Sequence, residues 1–315
     1  KTYGFMAKRI PFTAVSAILI VISIFSLFTK GLNFGIDFAG GTVIQIKYEK
    51  EAPISHIRDL LKQTNHSNAA ITKFGSDEEI IIRITGSSSS LGSDIGEELK
   101  TILSKTGNFE IRRVDMVGAK VGGELAEKGL ISLLLSFIGI IIYVSFRFDW
   151  KFAFVSLLAL VHDVIIAVGA VSLFNVEVNL DILAAVLTLL GYSLNDTIII
   201  FDRIREAIQI SKEDNLEKLI DESVSRTLPR TTLSSLTVFF TVLTLYLFGG
   251  EIINGFAFVM LVGVIVGTYS SIFVASSFLV NLKFSIADYR AKEAEKVRIK
   301  KEKAKNRAMY EQGTV

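Results

Sequence analysis

The chain has 315 residues, half of them hydrophobic, a mean hydropathy of +0.48 and a formal net charge of +2. Charged residues gather in blocks between long apolar runs, which excludes an ordinary water-soluble globule and points to an integral membrane protein. The absence of cysteine excludes disulfides, thiolate metal sites and cysteine catalysis.

In chain order, the first apolar span runs from Ile10 to Phe28. It is too long for a signal-peptide core and no small-x-small cleavage site follows, so it is expected to stay as an uncleaved signal anchor. About ninety residues of different character come next. Thr42 to Tyr48 alternates Ile44, Ile46 and Tyr48 with Gln45 and Lys47, the period of a half-buried strand. Pro53 fits the first turn of a helix carrying Ile54, Ile57, Leu60 and Leu61 at helical spacing. Ala69 to Phe74 and Glu79 to Thr85 read as strands around a Gly75-Ser76-Asp77 turn, and a flexible stretch Gly86 to Gly92 follows. Ile95, Leu99, Ile102 and Leu103 mark a second helix and Phe109 to Met116 a last strand. The order β-α-β-β-α-β predicts a ferredoxin-like α+β domain.

Four further runs, Leu130 to Phe146, Phe152 to Phe174, Leu180 to Phe201 and Phe256 to Leu282, are apolar enough to span, and Thr231 to Phe248 is a more hydroxyl-rich span. The expected fold is therefore an α-helical polytopic membrane protein with six transmembrane helices and one ferredoxin-like domain between helices one and two. The expected division is 1–29 for the N-terminus and first helix, 30–125 for the domain with its glycine-rich joints, 126–282 for helices two to six, and 283–315 for a charged tail.

Lys and Arg in the short connections set the orientation. Lys1, Lys8 and Arg9 precede the first helix, Arg147 and Lys151 separate the second and third, and six basic residues from Arg203 to Arg230 separate the fourth and fifth. Asn175 to Asn179 and Gly249 to Gly255 carry none. Both termini are thus expected in the cytoplasm and the domain in the periplasm. Leu216, Leu219, Ile220 and Val224 in the inner loop suggest an amphipathic segment along the membrane surface. The tail from Tyr289 to Arg307 reads as a solvated charged helix.

The most informative residue is Asp196, a carboxylate inside the fourth span. An ionisable group in hydrocarbon costs a few kcal/mol and normally marks an ion or proton pathway. It lies five residues before Phe201, about 7.5 Å from the span's inner end, and Arg230 begins the next span from that side, so the two are expected at similar depth. Desolvation and a neighbouring guanidinium act oppositely on a carboxylate, which makes such a pair switchable by helix motion. A static ion pair joining two helices is the plainer reading. Tyr192, Asn195 and Thr197 are candidates to support the carboxylate or to serve helix packing. His162 and Asp163 fall near the middle of the third span. The two could form a proton relay or a mutually hydrogen-bonded structural pair, but adjacent helical residues point about 100° apart and are expected to meet different partners. A supporting role is assigned to Asp163 and a structural one to His162. Asn179 and Asp181 read as caps of the fourth helix. No ligand cluster accompanies the histidines, so no metal and no cofactor are expected.

Two glycine-containing stretches flank the domain: Gly35-Ile36-Asp37-Phe38-Ala39-Gly40-Gly41-Thr42, and Val117 to Leu125. Neither has P-loop spacing, and glycine there serves tight turns and close backbone packing. These stretches, with Gly191 to Arg203, Arg226 to Thr231 and Tyr246 to Gly250, resemble the SecF family. That family is the smaller half of the SecDF accessory to bacterial Sec export, within the resistance-nodulation-division superfamily. The family pattern before the second helix reads Val-Gly-Pro; here Ala119 stands in place of the proline. The resemblance implies a non-enzymatic subunit of the inner membrane that couples the proton motive force to late preprotein export and limits backsliding. It implies SecD as heterodimer partner, with SecYEG and YajC in the assembly, and a proton-responsive site at Asp196 and Arg230. It also marks Gly35, Asp37, Gly40 and Gly41 as motif joints.

Half of a proton-coupled small-molecule exporter is the alternative function. Drug exporters, however, have twelve helices and two large outer domains. An intramembrane hydrolase is weakest, because no paired-aspartate, His-Glu-x-x-His or Gly-x-Ser-x-Gly motif is present. Six helices with one acidic site suggest half of a pseudo-symmetric transporter. Its partner interface is expected along helices four to six, with Gly263, Gly267, Ser270 and Ser271 allowing close approach there. The orientation is testable in this cysteine-free chain. In spheroplasts, an impermeant thiol reagent is expected to label Ser88→Cys and to spare Ser211→Cys; the reverse pattern would overturn the topology.

Overall fold

The computed structural model describes residues 2–67, 69–85 and 92–311. A 3₁₀ turn at Met6–Lys8 leads into α1 (Arg9–Thr29), followed by a two-residue strand β1 (Asn33–Phe34) and one helical turn α2 (Ile36–Ala39). The domain then comprises β2 (Gly41–Tyr48), α3 (Ile54–Lys62), β3 (Ala70–Phe74), β4 (Ser76–Thr85), α4 (Gly92–Leu103) and β5 (Phe109–Val117). Its sheet order is β3-β4-β2-β5, with each neighbouring pair antiparallel. That is the ferredoxin-like arrangement expected from the strand and helix order. Ile44, Ile46, Ile80 and Ile82 from the sheet meet Ile57, Leu61, Ile95, Leu99 and Leu103 from the two helices in one core. Burying each such side chain stabilises the domain by about 1.5–3 kcal/mol.

The turn between β3 and β4 is tighter than the sequence suggests. Gly75, at φ +70°, makes the reversal alone, and Ser76 already pairs with Phe74. Pro53 stands at the N-cap position, immediately before the first residue of α3. The expected flexible stretch from Gly86 lies, up to Leu91, outside the described residues.

Six helices among the described residues are long and apolar enough to cross a membrane. After α1 these are α5 (Ala119–Arg147), α6 (Trp150–Leu173), α7 (Leu180–Ile210), α8 (Leu216–Phe248) and a last span. The last span joins α9 (Glu251–Tyr269), a π-helical segment Ser270–Ala275 and α10 (Ser276–Asn281). A short strand β6 (Glu177–Val178) precedes α7, and α11 (Ile286–Glu311) forms the tail. α6, α7 and the α9–α10 span are the buried centre, whereas α1, α5 and α8 present most of their side chains outward. Two apolar clusters stack along the bundle. Phe152, Phe201, Leu219, Ile220 and Phe284 form the one near the chain termini, and Val171, Ile182, Leu189, Ala257 and Met260 the one near the domain.

Three expectations are corrected here. The segment from Leu216 to Val224 does not form a separate surface helix. It is the first part of α8, with Leu219, Ile220 and Val224 fully buried against the terminal-side cluster. The helix continues through Pro229, which has no N–H to offer the preceding turn. Second, Gly263 and Gly267 do not face outward. A Cβ at Gly263 would strike Leu189 and one at Gly267 would press on Ser193, both on α7, while Ser270 and Ser271 are fully buried. These small residues seat the last span against α7 of the same chain, so they cannot line a partner interface. Third, the start of the charged tail is anchored. Arg290 donates to the carbonyls of Ile208, Ser211 and Glu213, and Lys292 pairs with Asp149 at 2.6 Å.

Domain and bundle meet at the glycine segment. β1 pairs in parallel with β6, so the exit of α1 is stitched to the approach to α7. Gly40, at φ +73° and ψ 154°, holds a conformation essentially restricted to glycine, and an added Cβ would overlap the backbone of Ala119. The stretch from Val117 to Leu125 is helical from Ala119 onward. Ala119 therefore occupies the first helical position, where an N–H has no intrahelical partner and proline is tolerated. Asn179 does not cap α7 with its side chain. The Leu180 N–H instead donates to Asp37 Oδ2 at 3.0 Å, so a carboxylate from the glycine segment caps the helix that carries Asp196.

Candidate functional site

A layer of polar side chains crosses the bundle between its two apolar clusters. Asp163 and Asp196 are 0% and 2% exposed, and Ser193, Thr197, Ser235 and Ser270 are buried with them. Burying such groups without partners costs several kcal/mol each, so the helix faces around them are obliged to carry donors.

Asp163 on α6 is the better satisfied carboxylate. Its Oδ2 accepts from Ser193 on α7 and, at 2.8 Å, from Ser270 at the start of the π-helical segment. Its Oδ1 lies 2.8 Å from Nδ1 of His162. The expectation that these adjacent residues meet different partners is thus corrected in favour of the mutually bonded pair: they meet each other. Asp163 draws three helices together through one carboxylate.

Asp196 on α7 accepts one hydrogen bond, from Ser235 of α8 at 3.2 Å. Ser235 in turn accepts from Thr268 on α9 at 2.8 Å. Residues 267–271 of the last span thus reach both carboxylates, Thr268 by way of Ser235 and Ser270 directly. The π-helical segment begins at Ser270; such widened turns are frequent at functional sites and here set Ser270 toward α6.

The other sequence candidates separate. Arg230 is exposed on α8 and forms no ion pair with Asp196. Tyr192 points its hydroxyl toward Ser235 without a hydrogen bond of normal geometry. Thr197 is buried and bonds back to the Ser193 carbonyl at 3.4 Å. Asn195 lies on the exposed face of α7, away from the carboxylate. Among the described residues there is no His, Cys, Asp and Glu cluster fit to hold a metal ion. Ser193, Ser235 and Thr268 escaped the sequence reading. Their only signal was the hydroxyl content of spans otherwise apolar enough for lipid.

A polytopic membrane subunit is defined by these features: six spans, buried carboxylates on the third and fourth, and a ferredoxin-like domain inserted after the first. Residues 98–285 match the family described as protein export membrane protein SecD/SecF, C-terminal, and residues 25–52 match the SecD/SecF GG motif. The chain is 49% identical over 302 residues to the protein translocase subunit SecF of Helicobacter pylori J99, covering 96% of this chain and 94% of that one. It is 38% identical over 285 residues to the SecF of Escherichia coli O157:H7, covering 90% and 88%. Among solved structures, SecDF of Thermus thermophilus superposes with a TM-score of 0.81 at 33% identity, covering 90% of this chain and 39% of that one. A second, SecDF in a super-membrane-facing form, gives 0.68 at 32% identity, covering 94% and 40%. The chain therefore belongs to the SecF family of protein translocase subunits. It spans about two fifths of the length of those solved SecDF chains.

The unequal satisfaction of the two acids has a measurable consequence. Hydrogen bonds to a charged group are worth about 1.5–3 kcal/mol each. Asp163→Ala is expected to lower stability by at least about 2 kcal/mol more than Asp196→Ala, read by equilibrium unfolding in mixed detergent micelles. Equal losses would contradict the assignment of Asp163 as the structural tie.

Proposed function

We propose that the chain is the proton-responsive half of a two-part export motor, in which protonation of Asp196 alters how α7 and α8 sit together and so moves the ferredoxin-like domain. The observation that carries this reading is the contrast in the polar layer. Asp163 is held by three groups, whereas Asp196 is buried on a single hydroxyl, with Arg230 exposed on the same helix as that hydroxyl and not paired to the carboxylate. A carboxylate so placed has room to change charge and partner. Arg230 stays charged at any working pH and is positioned to engage Asp196 when α8 shifts. Asp37, capping α7, gives the domain a direct hold on the same helix.

The sidedness follows from the basic loops: termini in the cytoplasm, domain in the periplasm, and the chain in the bacterial inner membrane. A second six-helix chain of the SecD type completes the unit. Asn195 supports this, since an exposed amide in the middle of a span is costly against lipid and is relieved by a neighbouring protein. Along the same face of α7, Ala184, Thr188 and Gly191 are exposed and small, which admits close helix approach. SecYEG and YajC enter as the further partners that the family resemblance implies. The relatives' common name, protein translocase subunit, favours export of preprotein over the small-molecule exporter reading.

Asp196→Asn keeps the shape of the side chain and removes its charge change. In vesicles with an imposed proton gradient it is expected to abolish gradient-dependent stimulation of preprotein translocation while the chain remains assembled; wild-type stimulation would exclude Asp196 as the coupling group. Arg230→Lys keeps the charge and loses the planar fork. Marked impairment is expected if Arg230 pairs with Asp196 during the cycle, and full activity would reduce it to a counter-charge.

A further inference from the structure

The ferredoxin-like sheet turns one face to its two helices and the other to the bundle. Strand alternation places Ile44, Ile46, Ile80 and Ile82 on the helix-covered face and Val43, Gln45, Ile81 and Arg83 on the open one. That open face lies over the start of α7, across a cleft of about 320 Å³ whose far wall is made by Asp37, Glu177, Asn179, Asp181 and Ile252. The chain enters and leaves the domain at one place. Gly41 opens β2 and Val117 closes β5, and these two residues pair with each other across the sheet. A sheet fastened at one end, with a cleft beneath it, is free to tilt unless a second contact fixes its angle.

Arg83 supplies that contact. Its Nε lies 3.3 Å from Oε2 of Glu177 and its Nη1 donates to Thr72 Oγ1 at 3.2 Å, so one guanidinium ties β3 and β4 to β6. Among the described residues it is the only ion pair between the sheet domain and the rest of the chain. Arg113 and Asp115, on the same face, are paired with each other at 2.6 Å. The Arg83 and Glu177 side chains are 21% and 24% exposed, so salt screens their attraction less than at an open surface. Glu177 stands just ahead of α7, the helix that carries Asp196, and its backbone pairs with Asn33. Gly35 makes room for its carboxylate: a Cβ there would overlap the side-chain oxygens of both Glu177 and Asn179. Gly35 has an ordinary φ of −74°, so glycine is needed there for this close approach and not for its conformation.

We propose that Arg83 and Glu177 are the positioning pair that fixes the tilt of the sheet over the bundle and passes the position of α7 to it. The transmission rests on the proton-coupled reading of the chain; the hold on the tilt does not. Asp37 fastens the first turn of α7 to the glycine segment, and Glu177 fastens the approach to the same helix to β4, one strand from the point where the chain enters the sheet. Two such points define an angle, where one leaves it free.

Spin labels at Lys62→Cys, exposed at the end of α3, and at Lys212→Cys, at the terminus-bearing end of the bundle, read this tilt in the full chain in lipid vesicles. Arg83→Glu and Glu177→Arg each oppose like charges and are expected to shift or broaden the distance distribution; reversing both together is expected to return it to the parent's. Distributions alike in all four proteins, or a shift that the double reversal leaves in place, would overturn the pair. Gly35→Ala is expected to reproduce the shift, and unchanged distances there would overturn the seating of Glu177 by the glycine. An ion pair of this kind adds little to global stability, so unfolding midpoints are expected to stay close to the parent's. Glu177→Gln, which keeps the side-chain shape, stands in should a reversal fail to fold. Gradient-driven translocation, measured in vesicles with the co-purifying partners, is expected to fall about two- to thirtyfold in each single reversal and to recover in the double. If distances move and translocation does not, the transmission is wrong. Asp196→Asn, run alongside, keeps the two readings apart: full stimulation there would sink the proton-coupled reading, while the distance series would still decide the pair.

Discussion

Two carboxylates buried in a hydrocarbon-spanning bundle set the terms for everything around them. Neither Asp163 nor Asp196 can be hydrated from lipid, so the chain supplies hydroxyls from α7, α8 and the last span at the depth where the acids lie. That demand explains the serines and threonines in helices that otherwise need only apolar faces. It also explains why α6, α7 and the last span pack so closely, with Gly263 and Gly267 taken up inside the chain rather than spent on a partner. The apolar clusters on either side seal the layer and give each hydrogen bond in it a low-dielectric setting.

The domain is tied to this layer through few but rigid contacts. The β1–β6 pair, the glycine-only backbone at Gly40 and the Asp37 cap on α7 join the exit of α1, the start of α5 and the start of α7 at one place. α7 is therefore joined to the domain by direct contacts. At the other end, the first turns of α8 clamp the N-terminal segment. Met6 N–H donates to Asp221 at 2.8 Å, and Arg9 pairs with Glu217. α8 is thus held near the termini and only lightly buried at its membrane level.

The spans and the domain were legible because each rests on a strong periodic or compositional signal. Uninterrupted apolar runs gave the helices, and alternating isoleucines with two amphipathic helices gave the ferredoxin-like order. Asp196 was legible for the same reason, as a charge in the wrong solvent. What stayed hidden depends on contacts between distant segments. Nothing local marks Asp37 as the cap of a helix 143 residues onward. Asn179 looked like that cap because capping is usually read from the adjacent residue. Ser193 and Ser235 carry no signal until α7 and α8 are set side by side. The joining of Leu216 to Val224 with the fifth span was masked by Pro229 and by a run of charges that reads as a loop.

The central claim is that the charge on Asp196 governs the position of the domain. Spin labels at Ser104→Cys, on the far side of the domain, and Lys212→Cys, at the terminus-bearing end of the bundle, report that position in a chain with no other cysteine. Pulsed-dipolar distances in lipid vesicles are predicted to shift between acidic and alkaline pH in the otherwise wild-type chain and to be fixed by Asp196→Asn. Distance distributions that shift equally with and without Asp196→Asn, or that do not shift in either, would contradict the account.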